Sequence, residues 1–464
     1  MPTLSLHELK QVVGGEWLTD TPDDNAADCA RVCDDSRAIR PGDLFVAIKG
    51  ELSDGHRYIG AAIAAGARAT VLQEPPPPEI LSQAAAAKCP LLQVADSLAA
   101  YQRLALWHRR QFPKARVLAI TGSCGKTSTK EMCAAILEQR WPGGVLKTIG
   151  STNNHFGVPR NLYRIDETTR VAVIEMGTNH PGEIACLAAI APPDVGLVCN
   201  IGHAHLEFFH DLRGVATEKG TLLQGILPDG PAIYPADAVG ADILAQDAAG
   251  HPALTFGATP EADVQYIYKG YDQGAFRLRL VWKATGLALD VRWRIGGAHM
   301  AANAAAAAAA ATALGLTPAE VKAGLEACVL PGQRLEIREI DGVRWVNDAF
   351  NANPDSTRAA LDWMAEVAAD APKFLILGDM LELGETSAQS HLDILCHALK
   401  KCPGATIMTV GPRMKAAVEA LGDGAIGNLP DAEAARVWLQ SQPLQGAWIL
   451  LKSSHGIGLA KLCP

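Results

Sequence analysis

The chain has no surplus of positive charge. Its 41 Lys and Arg stand against 50 Asp and Glu, a formal net charge of -9, which leaves no basic footprint for a polyanion and excludes nucleic acid as the natural partner. It also lacks any run of about 18 apolar residues free of polar groups, so no membrane-spanning helix is expected. No basic stretch followed by an apolar core opens the chain, and a cytoplasmic location is expected. The 11 cysteines are scattered without CxxC pairs. That pattern suits reduced thiols and offers neither a disulfide framework nor a zinc site, so metal chemistry would have to use oxygen and histidine. What is present is a soluble globular composition, 48% apolar and 20% charged, over 464 residues. Such a chain is too long for one core, and three domains are expected.

One stretch organises the rest. Thr121-Gly122-Ser123-Cys124-Gly125-Lys126-Thr127-Ser128 follows the apolar run Val117–Ile120 and precedes a helix-like segment. It reads as a phosphate-binding loop. Gly122 and Gly125 let the backbone turn its amides toward a polyphosphate, and the helix behind adds its positive end. Lys126 then reaches the β/γ-phosphates, and the hydroxyl of Thr127 is placed for Mg²⁺. Ile120 replaces the glycine usual five residues before Gly125, so the loop is a compact variant. ATP binding is the resulting expectation. Cys124, among converging amides before a helix N-terminus, is expected to be a reactive thiol.

The fold expected is α/β in three parts. Residues 1–98 read as a small N-terminal α/β substrate domain. Residues 99–330 read as a central P-loop ATPase-like parallel sheet, and 331–464 as a C-terminal doubly wound, Rossmann-like domain. In the first part Ser36 and Arg37 are read either as a phosphate or sugar contact or as a solvated turn. In the second, Val171–Ile174 runs into Glu175, and Val195–Val198 runs into Asn200-Ile201-Gly202-His203-Ala204-His205. Ligands collect at such strand ends in open parallel sheets. His203 and His205 alternate, so only one faces a given side. A helix is expected over Ala298–Leu314, where Asn303 is read either as meeting an adenine edge or as pointing to water. In the third part the loop Asp348–Ser356 follows a strand and caps a helix, and the linker around Arg334 offers an arginine to a nucleotide phosphate.

With these residues in view, the chain resembles the Mur ligases over essentially its full length. The resemblance is carried by TGSCGKTSTKEM, STNNHFGVPRNL, EMGTNHPGEI, NIGHAHLEFF, ATEKGTLL, PGQRLE, DAFNANPDS and LGDMLELGE, in that order. It implies an ATP-dependent carbon–nitrogen ligase of peptidoglycan precursor synthesis. NANPDS and LGDMLELGE, with no Asp-Asn-Pro-Arg motif, imply the reaction that joins D-alanyl-D-alanine to UDP-N-acetylmuramoyl-tripeptide through an acyl phosphate. The resemblance also implies roles. Thr127 and Glu175 would hold one Mg²⁺, and His205 with a carbamylated Lys219 a second. Lys126, His205 and Lys219 would be catalytic. Asn303 would meet adenine, while Arg334 and Asp348 contact the nucleotide from linker and third domain. Asn153 and Asn154 would touch the muramoyl peptide, Ser36 and Arg37 the uridine diphosphate, and Asn351 and Asn353 the dipeptide. A monomer is expected.

The pattern is broken at Met300, beside the adenine helix's histidine, and at Lys452-Ser453-Ser454-His455, where a Lys-Gly-Ser-Arg pattern is usual. The competing readings are another Mur-type or folylpolyglutamate-type ligase, and an ATP-binding regulatory protein that has lost the chemistry. For Lys219 itself, the alternative to a carbamate is a surface lysine on the helix that carries Glu218 and Leu222.

Overall fold

The computed structural model describes residues 3–20, 28–50 and 53–464. Two compact units emerge: Met1–Leu118, Gly143–Met176 and Cys186–Pro193 in the first, and Ala119–Pro142, Gly177–Ala185 and Asp194–Pro464 in the second. The class is α/β, as expected. Among the described residues no helix is long and apolar enough to cross a membrane.

The first unit is built on a five-stranded sheet in the order Glu16–Trp17, Leu91–Gln93, Ala69–Leu72, Leu44–Val46, Val32–Cys33. Only the first pairing is antiparallel. The three inner strands are buried almost throughout, as a sheet covered on both faces requires. The same unit holds the parallel pair Val145–Lys147 and Val171–Glu175. The strand Val171–Glu175 is entirely buried and ends on the carboxylate of Glu175, so a charged group is delivered to the mouth of an apolar strand.

In the second unit, Val195–Val198 pairs in parallel with Ala232–Pro235, and that strand with Ala253–Gly257. Beyond them the sheet changes character. Val264–Asp272, Ala275–Trp282 and Leu287–Trp293 form an antiparallel meander, a feature the expectation of a parallel sheet did not contain. The helix Ala298–Ala313 is buried from Ala304 through Ala311. Its methyl side chains give it no polar face, so it packs as a core rod, and it lies against the helix Lys126–Arg140.

The remaining sheet runs Glu336–Ile340, Val343–Asn347, Trp448–Lys452, Lys373–Gly378, Thr406–Val410, Gly427–Leu429. Apart from its antiparallel edge it is parallel. The last strand in sequence, Trp448–Lys452, is inserted between the second and third. That insertion creates a switch point, and the loops at the carboxyl ends of Val343–Asn347 and Trp448–Lys452 converge there.

Candidate active site

The phosphate loop leaves its strand through Gly122 and enters its helix through Gly125. Gly125 sits at φ +74° as the N-cap of Lys126–Arg140, with no side chain capping the helix. The N-terminal amides are therefore left for a ligand. A Cβ on Gly125 would lie 2.6 Å from Oδ1 of Asn303, so only glycine admits the amide that presses on the loop. Asn303 is 4% exposed, which removes the reading that it points to water. Its Nδ2 donates to the sulfur of Met300 at 3.6 Å. Ser128 is buried in the first helical turn.

The loop is held by a residue the motif did not single out. Oδ1 of Asn200 accepts from the amides of Ser123 at 2.9 Å and Cys124 at 3.0 Å. Its Nδ2 donates to the Cys124 carbonyl at 2.9 Å and approaches the Cys124 sulfur at 3.2 Å. The Ser123 hydroxyl completes the brace by donating to the Gly202 carbonyl at 3.0 Å. The sequence marks Asn200 only as a carboxamide two residues past a buried strand; its contact with a loop 76 residues away is not legible there. The same geometry corrects the expectation for Cys124. Burial pushes its thiol above the usual range, and the amides expected to favour a thiolate are already engaged by Asn200.

Lys126 Nζ donates to the Gly122 carbonyl at 2.7 Å, closing the loop on itself. Arg334 Nη2 donates to Oγ1 of Thr127 at 3.0 Å, and its guanidinium lies 4.0 Å above the Phe350 ring. The linker arginine thus reaches the phosphate loop. Asp348 accepts at Oδ1 from the Leu335 amide at 3.1 Å and pairs through Oδ2 with Lys452 at 2.7 Å. Asn353 caps the helix Pro354–Val367 in a reciprocal box with Ser356. The Asn351 side chain accepts from the Ala352 amide at 2.9 Å.

His203 and His205 part company, but not by strand alternation: residues 203–205 form a bend, and His205 turns into the left-handed region as the N-cap of the helix Leu206–Phe209. The His203 ring nitrogen Nδ1 lies 3.1 Å from both carboxylate oxygens of Asp355. His205, at φ +55°, places Nδ1 2.7 Å from Oε2 of Glu382, and that contact is the main cause that lowers the Glu382 carboxyl below its usual value. With Nδ1 turned to a carboxylate, Nε2 is the nitrogen left for a metal.

Lys219 is 1% exposed, which rules out a surface lysine. Its pKa falls from 10.5 to about 7, first through burial and then through the charge of Lys126. Neighbouring Glu218 is spent on structure, accepting from the amides of Gly182 at 2.7 Å and Ile184 at 2.9 Å. An ammonium at Lys219 would oppose a bound cation. A neutral amine does not, and it is also a nucleophile.

Within the first unit, Asn153 Nδ2 donates to Oε1 of Glu175 at 2.8 Å, which joins two of the expected site residues. Asn154 instead accepts from the amides of Phe156 and Gly157, a local turn ahead of the helix Gly157–Leu162. Ser36 opens a short 3-10 turn. The Arg37 side chain is 88% exposed and pairs with Asp35 at 2.8 Å, and that pairing holds the Asp35 carboxyl at about 2.

Three family models match the chain in order: Mur ligase family, catalytic domain, over residues 31–106; Mur ligase middle domain over 120–311; and Mur ligase, glutamate ligase domain over 333–455. The UDP-N-acetylmuramoyl-tripeptide--D-alanyl-D-alanine ligase of Escherichia coli K12 is 34% identical over 466 residues, covering 100% of this chain and 98% of the relative. The enzyme of the same name from Mycobacterium tuberculosis H37Rv is 32% identical over 497 residues, covering 99% and 96%. Among solved structures, a crystal structure of MurF from Acinetobacter baumannii superposes with a TM-score of 0.89 at 30% identity over 100% of this chain and 98% of that one. MurF ligase from Thermotoga maritima in complex with ADP gives 0.81 at 25% identity, over 94% and 96%. By sequence along its whole length, by the order of its three segments and by its fold, the chain belongs to the Mur ligase family.

Proposed function

We propose that the chain joins D-alanyl-D-alanine to UDP-N-acetylmuramoyl-tripeptide at the expense of ATP, in the cytoplasm and as a monomer. The observation that carries the reading is the assembly of Lys126, Thr127, Arg334 and the buried amine of Lys219 around one phosphate loop, in a chain whose full-length relatives bear that name. The division of labour follows the expected segments: 1–98 for the UDP-linked substrate, 99–330 for ATP, and 331–464 for the dipeptide.

The chemistry follows from the electrophile. A carboxylate resists attack until one oxygen becomes a good leaving group, so its oxygen takes the γ-phosphoryl of ATP and ADP departs. The dipeptide amine then attacks the acyl phosphate, and the tetrahedral adduct collapses to amide and phosphate. Lys126 and Arg334 carry positive charge to the transferring phosphoryl, and the amides at the helix N-terminus orient it. Asn303, pressed on Gly125, faces adenine, and Asp348 meets the nucleotide from the third segment. Ser36 and Arg37 bind the uridine diphosphate, Asn153 and Asn154 the muramoyl peptide, and Asn351 and Asn353 the incoming dipeptide.

For the first of the two Mg²⁺ expected, the Thr127 hydroxyl and the Glu175 carboxylate are the oxygen donors a hard cation takes; for the second, the oxygens of a Lys219 carbamate would supply the same beside the His205 imidazole. Bound Mg²⁺ would neutralise phosphate charge. Lys219 serves the second ion with His205 as a carbamate: its neutral amine attacks the carbon of CO₂, an N–C bond forms as a C=O pair moves to oxygen, and nitrogen releases a proton. The result is an anion with two oxygens in place of a neutral amine. Lys219→Ala should lose most ligase activity while retaining UDP-substrate binding, and acetate or formate at ~mM concentration should restore part of it. Near-normal activity in the unsupplemented variant would falsify the carbamate.

A further inference from the structure

The segment Lys452-Ser453-Ser454-His455, where the family pattern is broken, has no role in the chemistry just described, yet it is buried through Ser454. Lys452 ends the central strand of its sheet and is 3% exposed. Its ammonium lies 2.7 Å from Oδ2 of Asp348 and donates to the main-chain carbonyl of Asn351 at 2.8 Å. Between those two partners in sequence stands Phe350, the ring beneath the Arg334 guanidinium. The other oxygen of Asp348 holds the amide of Leu335, next to Arg334. Ser454 adds a bond from its hydroxyl to the Ala352 carbonyl at 3.4 Å, and the His455 ring lies 6.1 Å from Phe350.

Arg334 itself is carried on unusual backbone. Gln333 at φ +63° and Leu335 at φ +49° flank it, and side-chain-bearing residues hold the left-handed region only where their surroundings enforce it. For Leu335 the restraint is Asp348, and for Asp348 it is Lys452. An ammonium buried against one carboxylate is no efficient source of stability, because desolvation offsets most of the attraction. Its value lies in geometry: one point charge with three donors fixes a carboxylate and a carbonyl on either side of Phe350.

We propose that Lys452 is a positioning residue for nucleotide binding, the cation that holds Asp348 and Asn351 so that Phe350 and Leu335 present Arg334 to Thr127. The proposal deepens the ligase reading and rests on it for the identity of the nucleotide. Because Asn351 and Arg334 share this frame, the dipeptide loop and the phosphate contact move as one body.

A double-mutant cycle on the full chain tests it, read by calorimetric titration with a non-hydrolysable ATP analogue and Mg²⁺. Lys452→Met and Arg334→Lys should each weaken binding about tenfold, as loss of a charge-assisted contact implies. The double variant should be no more than about threefold weaker than the weaker single one, since both remove the same contact. Losses that multiply, or a folded Lys452→Met that binds like the wild type, overturn the proposal. Phe350→Leu, at a half-buried position outside the ion pair, covers the case in which Lys452→Met does not fold. It should keep the thermal midpoint, weaken analogue binding severalfold and be non-additive with Arg334→Lys; wild-type affinity or additivity there also overturns the frame. The titration needs neither acceptor nor dipeptide. Absence of amide product from the wild type therefore sinks the ligase reading, whereas additivity in binding sinks only this one.

Discussion

Replacing Lys219 by methionine removes an amine that the fold holds at about 7 instead of 10.5, chiefly by burial and secondarily through Lys126. Between those two values the unfolded chain keeps a proton that the folded chain has lost. Stability of the wild type must therefore rise with pH across that window. Below about pH 7 the cost of burying this lysine is fully present, and above about 10.5 it is gone. A shift of this size corresponds to ~5 kcal/mol at most, since each unit is worth ~1.36 kcal/mol, and about 3 kcal/mol of it is recovered between about pH 7 and pH 9.5. Methionine fills a similar volume and carries no charge. Urea unfolding of both proteins in CO₂-free buffer, followed by tryptophan fluorescence, should show the wild type gaining on Lys219→Met by a few kcal/mol over that range. Bicarbonate added near neutral pH should raise the stability of the wild type alone, because the proposed carbamate would form on the folded state. Parallel pH profiles for the two proteins would refute the reasoning, and so would a wild type that loses ground as pH rises.

Two further outcomes follow. Cys124, with its thiol pushed up by burial and its sulfur facing Asn200, should alkylate later than the exposed Cys186 and Cys396 at neutral pH; peptide mass spectrometry that finds Cys124 labelled first contradicts this. Asn200→Ala removes the acceptor of two loop amides, and affinity for an ATP analogue should fall by roughly 1–3 kcal/mol. Unchanged affinity in calorimetry would mean that the loop keeps its shape without the carboxamide.

What could be read from sequence was the local grammar. Val171–Glu175 and Val195–Val198 were legible because an apolar run that leads to a polar residue, Glu175 at the end of the one and Asn200 two positions past the other, makes a buried strand with a functional mouth. The glycines and Lys126 marked the loop because few backbones other than a phosphate cradle need that order. The meander from Val264 to Trp293 was overlooked although Ala275–Trp282 alternates in burial along much of its length. Partners distant in sequence were beyond this reading. Nothing local ties Lys452 to Asn351, 101 residues away, or Arg334 to Thr127, 207 residues away. Asn303 was ambiguous because a helix with alanine on every side of it has no distinct apolar face to tell inside from outside. Cys124 was misjudged for a related reason: helix position was visible, but the Asn200 brace that occupies the amides was not.

The central claim, an ATP-driven ligation of two specific substrates, is tested most directly by phosphate release from the wild-type chain. With ATP and Mg²⁺ present, UDP-N-acetylmuramoyl-tripeptide and D-alanyl-D-alanine are supplied singly and together. The account predicts sustained release only when both are present, with one amide product formed for each phosphate. Equal release without the dipeptide, or turnover with a free amino acid in its place, would contradict it.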